Sequence, residues 1–137
     1  MTQEQINLLL KDISARLPYG VKISIPDLWT QEREVEILDE IFKGDDGLYR
    51  VNSKGQCIEY IKPYLYPLSS ITIEQEKELS KLGVSYGEYA LHDDIRGLGI
   101  MVDEAYIFFE FCYKHHIDFL GLIEMGLALD ATNLNIY

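Results

Sequence analysis

Histidine and aspartate residues in two places are the side chains of this sequence best suited to chemistry. Imidazole and carboxylate groups are ligands that zinc and similar divalent ions accept, so one hypothesis is a small metal-dependent enzyme. The candidate ligands are His92, His115, His116 and Asp118, with Asp93-Asp94 following the first. Their spacing is poor, because adjacent residues on a helix point about 100° apart and two neighbouring histidines cannot readily share one ion.

A structural role explains the same residues without a metal. A histidine in the last turn of a helix interacts favourably with the helix dipole, and Asp118 can cap a following helix. Cys112 lies four residues before His116, so the two could touch, but its apolar surroundings predict a buried and unreactive thiol. We favour this structural interpretation. It predicts no catalytic residues, no bound metal and no cofactor, and leaves enzymatic activity undecided but disfavoured.

Acidic residues supply the best surface candidate for partner binding. The segment from Asp27 to Asp46 has eight acidic residues and two basic ones, a net charge of −6. On a strand, Glu32, Glu34 and Glu36 would line one face at intervals of about 6.6–6.8 Å, a row that loosely resembles the phosphate charge presented by DNA-mimic proteins. The plainer interpretation is a solvated strand face whose charge prevents edge-to-edge aggregation.

Tyrosine is the second indication of a binding surface. The sequence has ten tyrosines, and this side chain, apolar with a polar tip, is favoured at interfaces. Tyr64 and Tyr66 are the candidate contacts, either for a host or phage protein or for a second copy of the chain; the alternative is that they are core residues.

Composition excludes several partners. The net charge is −11, and lysine and arginine form no run, which argues against nucleic acid and anionic membranes. No uncharged run approaches the roughly 20 residues that span a bilayer, and the N-terminal residues do not resemble a signal peptide. Cys57 and Cys112 are predicted to be buried thiols in a reducing compartment. These features predict a cytoplasmic protein.

Periodicity predicts a single α+β domain over residues 1–137. A capping box of Thr2 and Gln5 opens an amphipathic helix, whose polar face is assigned Lys11, Asp12 and Arg16. An antiparallel β-meander or open SH3-like barrel follows, with strands predicted at Val21–Ile25, Arg33–Ile41, Leu48–Val51 and Gln56–Ile61.

The second half is predicted to pack helices on that sheet. Lys62–Leu68 is expected to leave the sheet, because its prolines lack a ladder donor. A helix is predicted over Ile73–Leu82, and Val84–Val102 gives no interpretable pattern. An apolar helix capped by Asp103 then runs to His116. After it come a short helix capped by Asp118, a left-handed Gly126 and an extended segment over Leu127–Leu129.

Three segments carry a resemblance: Lys11–Ile23 (KDISARLPYGVKI), Glu59–Thr72 (EYIKPYLYPLSSIT) and His115–Tyr137 (HHIDFLGLIEMGLALDATNLNIY). They resemble, in the same order, a family of uncharacterised proteins from gut bacteria and their prophages. Ile71 stands where that family usually has methionine, and Phe119-Leu120 stand for a tyrosine-arginine pair. The resemblance implies a phage- or mobile-element-associated protein and supplies no catalytic residues. Together these features predict a non-enzymatic protein-binding module with an acidic face.

Overall fold

The computed structural model describes residues 1–27, 29–30, 32–83 and 102–137, and its α+β fold confirms the predicted class. The helices are α1 (Gln3–Arg16), α2 (Ile73–Lys81) and α3 (Val102–Lys114). The strands are β1 (Lys22–Pro26), β2 (Arg33–Ile37), β3 (Ile41–Lys43), β4 (Tyr49–Val51), β5 (Gln56–Cys57), β6 (Lys62–Pro67), β7 (Ile117–Asp118) and β8 (Leu129–Asp130).

The first helix begins where the capping box predicts. The Thr2 hydroxyl accepts a hydrogen bond from the Gln5 N–H at 3.1 Å, and the Gln5 side chain accepts one from the Thr2 N–H at 2.9 Å. Both bonds satisfy amide groups that have no partner within a helix. The chain then turns at Gly20, whose φ of 69° is costly for other residues. This turn directs the chain from α1 into β1.

The strands form two sheets. β2, β1 and β6 are successive antiparallel neighbours, and β6 also pairs in parallel with both β7 and β8. A separate sheet, β3-β4-β5, is an antiparallel meander, so the strands predicted to form one antiparallel sheet are divided between two sheets. The predicted strand Arg33–Ile41 is divided between the two sheets, with Leu38 buried at the break. The predicted strand Gln56–Ile61 is shorter, because a 3-10 turn replaces it over Ile58–Tyr60.

The prediction that Lys62–Leu68 leaves the sheet is wrong, since Lys62–Pro67 is its central strand. Pro63 pairs with Ile23 of β1. Ile23 directs its backbone groups toward β2, so this pair needs no hydrogen bond and the missing proline N–H costs nothing there. A proline excludes a strand only where its N–H would join the ladder.

The C-terminal helices differ from the prediction in position and number. Asp103 is already helical and so is not the N-cap, and α3 ends at Lys114 rather than His116. Residues 119–126 form turns and bends instead of a second helix. Gly121 has a φ of 78°, which interrupts helical geometry, whereas the left-handed Gly126 (φ 76°) is confirmed. The final extended segment is β8, slightly later than expected.

Two apolar clusters form the interior. One packs α1 against β1 and β6, and the other packs α2 and α3 around β7. Arg16 connects the two clusters. The prediction that Arg16 and Asp12 lie on a solvated helix face is wrong, because their relative exposures are 0% and 1%. Arg16 binds both oxygens of Asp12, at 2.8 and 3.1 Å. It also donates to the carbonyls of Cys112 in α3 (3.2 Å) and Ile117 in β7 (2.7 Å).

Replacing Arg16 with methionine should destabilise the protein by about 3–5 kcal/mol, because Asp12 would remain as an uncompensated buried charge. The double variant Arg16→Met/Asp12→Leu should be more stable than Arg16→Met alone, because no charge is then left unpaired. Urea unfolding monitored by circular dichroism measures both changes. Lys11→Met on the exposed side of α1 is the matched control, expected within about 0.5 kcal/mol of the unmodified protein. A double variant less stable than the single would contradict this account of the pair.

Candidate functional site

The two neighbouring histidines serve different elements. α3 ends at Lys114, and His116 takes a left-handed backbone conformation with φ of 60°. The His115 ring nitrogen Nε2 lies 3.0 Å from a carboxylate oxygen of Glu78 in α2. The His116 ring instead stacks on Tyr137, with centroids 3.7 Å apart and 9° between the ring planes. Each imidazole therefore holds a separate segment against α3.

Asp118 is occupied by its own backbone surroundings. Its two carboxylate oxygens accept the N–H groups of Leu122 and Ile123, each at 2.9 Å, and the residue is only 6% exposed. Asp118 therefore caps a turn, whereas the prediction that it caps a helix is wrong. His92 and Asp93-Asp94 lie outside the described residues. Within the described ranges, no three His, Cys, Asp or Glu side chains are grouped to hold a metal ion.

The two cysteines are free thiols in different environments. Cys112 is fully buried in α3, as predicted, and burial raises the pKa of its thiol far above its ordinary value. Since the thiolate is the reactive form, Cys112 is unreactive. Cys57 is only partly buried, contrary to expectation, because it borders a cavity between α1 and the β3-β4-β5 sheet.

That cavity has a volume of about 260 Å³. Ile6 of α1, Leu48, Tyr49 and Ile58 give it an apolar lining, with Lys43 and other polar groups beside them. Pockets that bury small molecules are usually about 300–1,000 Å³. No sequence pattern predicts this cavity, because its lining comes from α1 and from the later sheet, which only the tertiary structure brings together.

Two members of the acidic row, Glu34 and Glu36, lie on β2, at one end of the five-stranded sheet. Glu34 and Glu36 point to the same side, where Lys54 lies 3.4 Å from Glu34 and 3.6 Å from Glu36. Glu36 also accepts a hydrogen bond from the Asn52 side chain at 3.1 Å. Glu32 is exposed beyond the start of the strand. One exposed lysine thus serves two glutamates, and the row keeps a net negative charge.

The opposite side of β2 is exposed and carries Arg33, which donates a hydrogen bond to Ser24, together with two apolar side chains. Val35 is 46% exposed and Ile37 is 55% exposed. Strand alternation predicts that residues interleaved with Glu34 and Glu36 share one face, but sequence alone does not show that this face lacks a cover. The structure adds these two side chains to the candidate surface.

The candidate contacts Tyr64 and Tyr66 have mainly structural roles. Tyr64 is 8% exposed, so its ring belongs to the interior. Tyr66 is partly buried, with its ring 5.8 Å from that of Tyr137. The Tyr137 hydroxyl accepts a hydrogen bond from the Lys22 N–H at 2.9 Å and donates one to the Tyr64 carbonyl at 2.7 Å. The Tyr137 hydroxyl thereby bridges β1 and β6.

Comparison of the chain with protein-family models, with curated proteins and with solved structures gives no match. Among the described helices, none has both the length and the apolar character needed to cross a bilayer.

His116 is held in its neutral form. Burial, together with the nearby charges of Arg16, His115 and Lys22, lowers its pKa to about 4 from an ordinary value of 6.5. Its buried Nδ1 atom has no hydrogen-bond partner among the described residues, so a proton placed there would be poorly solvated. In the unfolded chain His116 therefore binds a proton below about pH 6.5, whereas in the folded protein it does so only below about pH 4.

The folded protein should consequently lose stability as the pH falls from 7 to 5. We expect His116 to account for about 1 kcal/mol of this loss, allowing for its partial exposure. His116→Asn should have the flatter profile, because asparagine tolerates the left-handed backbone and does not titrate. Urea unfolding at a series of pH values measures the difference. Equal pH dependence in the two proteins would show that His116 titrates alike in the folded and unfolded states.

Proposed function

We propose that this chain is a non-enzymatic protein-binding module that engages a basic partner through the surface of β2. The β2 surface consists of Glu32, Glu34, Val35 and Ile37. The observation that carries the proposal is that a strand at the end of the sheet exposes acidic side chains and, on its other face, two large apolar ones.

Such a surface combines the two contributions that a protein partner needs. Burial of Val35 and Ile37 would supply free energy, at about 25 cal/mol for each Å² of apolar area removed from water. The glutamates would attract and orient a basic partner, because complementary charge raises association rates and rejects partners of like charge. Lys54 weakens this field only partly, since its ion pair with Glu34 is solvent-exposed and such pairs contribute little.

The described polar groups support binding more than catalysis. His115, His116 and Asp118 each have a structural contact, and Cys112 is unreactive. The metal-dependent alternative therefore has no observation in its favour among these residues. A host or phage protein in the cytoplasm is the proposed partner. The resemblance of three segments to gut-bacterial and prophage proteins supports that origin.

Reversing two charges on the β2 surface should weaken partner binding at least tenfold. The variant is Glu32→Lys/Glu34→Lys, which removes attraction for a basic partner and adds repulsion. The partner is captured from lysate of the native host on tagged protein, identified by mass spectrometry, purified and titrated against each variant at low and high salt. Binding to the unmodified protein should weaken as salt rises.

Glu74→Lys/Glu124→Lys is the matched control, because it changes the net charge equally at two exposed sites away from β2. It should bind the partner nearly as well as the unmodified protein. Equal weakening in both variants would mean that only overall charge matters, and no weakening in either would remove the β2 surface as the binding site.

A further inference from the structure

We propose that the partner binds by adding an extended strand to the open edge of β2, and that this strand alternates basic and apolar residues. The inference rests on the proposed function and specifies how the β2 surface is used. It is carried by the direction of the β2 backbone groups and by the arrangement of its side chains.

The direction of each backbone group follows from the β1–β2 register. Two hydrogen bonds bracket the ladder: the Asp27 N–H donates to the Glu32 carbonyl at 2.7 Å, and the Leu38 N–H donates to the Val21 carbonyl at 2.9 Å. In antiparallel pairs, hydrogen-bonded positions recur every second residue. Glu34, paired with Ile25, and Glu36, paired with Ile23, are therefore the positions that bond to β1.

The intervening residues Arg33, Val35 and Ile37 direct their N–H and C=O groups away from β1. Within the described residues, no strand pairs with this edge of β2. The Ile37 carbonyl is already bound by the Asn52 side chain at 2.9 Å, which closes one end of the edge. A row of outward backbone groups from Arg33 to the Ile37 N–H remains, and such a row is a template for an added strand.

The β2 side chains determine what the added strand should carry. Residues directly opposite each other in paired strands project to the same face. Positions opposite Val35 and Ile37 would therefore favour apolar residues. Positions opposite Glu34 would favour lysine or arginine, which could replace the exposed Lys54 at 3.4 Å. The predicted ligand is thus a short segment with basic and apolar residues in alternation.

A second copy of this chain is a poorer occupant of the same edge. For two β2 strands to pair antiparallel, the outward-facing residues of one copy must lie opposite those of the other. The intervening glutamates then also lie opposite one another, for example Glu34 of one copy against Glu36 of the second. Like charges directly opposite destabilise a strand pair. Charge thus favours a basic strand over self-association.

The test uses a capped six-residue peptide that alternates lysine and valine, and a second peptide with the same composition in two blocks. Binding is measured by fluorescence polarisation, and backbone amide hydrogen exchange is followed by NMR. We expect the alternating peptide to bind at least tenfold more tightly than the block peptide. It should slow exchange at the outward amides of Arg33 and Val35, whereas the Glu34 and Glu36 amides are already protected by β1.

Two variants separate strand addition from attraction by charge alone. Val35→Pro removes one outward N–H without removing a bond to β1, and Val35→Thr keeps both the N–H and a β-branched side chain. The proline variant should bind the alternating peptide at least tenfold more weakly than the threonine variant. Thermal unfolding of both variants checks that the proline is tolerated, and the exchange measurement on the unmodified protein does not depend on that result.

The outcomes distinguish the inference from the proposed function. Absence of peptide binding, or unchanged exchange at Arg33 and Val35, overturns strand addition. If Glu32→Lys/Glu34→Lys then still weakens binding of the native partner, the proposed function stands with a different docking mode. If that charge reversal leaves native-partner binding unchanged, the proposed function itself fails.

Discussion

The arrangement of this protein depends on the contacts made by the buried guanidinium group of Arg16. It is fully enclosed, and it joins Asp12 in α1 to the carbonyls of Cys112 in α3 and Ile117 in β7. A buried charge is tolerated only when its donors are satisfied, so these contacts restrict how α3 and β7 can lie against α1. Asp12 shows the energetic cost of burying a charge, because burial raises the pKa of its carboxyl group more than the charge of Arg16 lowers it.

This arrangement also explains why residues with chemical potential do not form a catalytic set among the described side chains. Folding against α3 uses His115 to hold α2, His116 to hold Tyr137, and Asp118 to bind the turn that follows β7. These three side chains each make a structural contact, although the Nδ1 atom of His116 has no hydrogen-bond partner among the described residues. The described part of β2 combines charge, exposed apolar area and an edge without a paired strand.

The position of β6 explains why that surface lies at β2. β6 is paired by β1 and, in parallel, by β7 and β8, so its tyrosines are drawn into the structure. β2 pairs only with β1 in the described part of the chain, and its outer edge has no neighbouring strand. The edge is charged, which protects against indiscriminate pairing and would suit the complementary strand that we propose. The charged, unpaired edge of β2 is therefore consistent with both interpretations of the acidic row, as a solvated strand face and as a binding surface.

Local interactions are what the sequence by itself determined. The capping boxes at Thr2 and Thr72, the strand cores around Ile23, Val35 and Arg50, and the fully buried Cys112 follow from short-range pattern and composition. The acidic row was also predictable, because period-two alternation places Glu34 and Glu36 together in any strand.

Only the tertiary structure decided the roles that depend on distant partners. Arg16 and Asp12 look like solvated helix residues until α3 and β7, about a hundred residues later in the chain, supply the acceptors that allow their burial. The sequence of Lys62–Pro67 predicts a segment outside the sheet. Its register with β1 instead places Pro63 at a position where no backbone N–H is needed to bond to β1. Period-two alternation places Val35 and Ile37 on one face of a strand, and only the sheet order leaves that face exposed at the end of the sheet. In each case the deciding energy comes from contacts that local sequence does not encode.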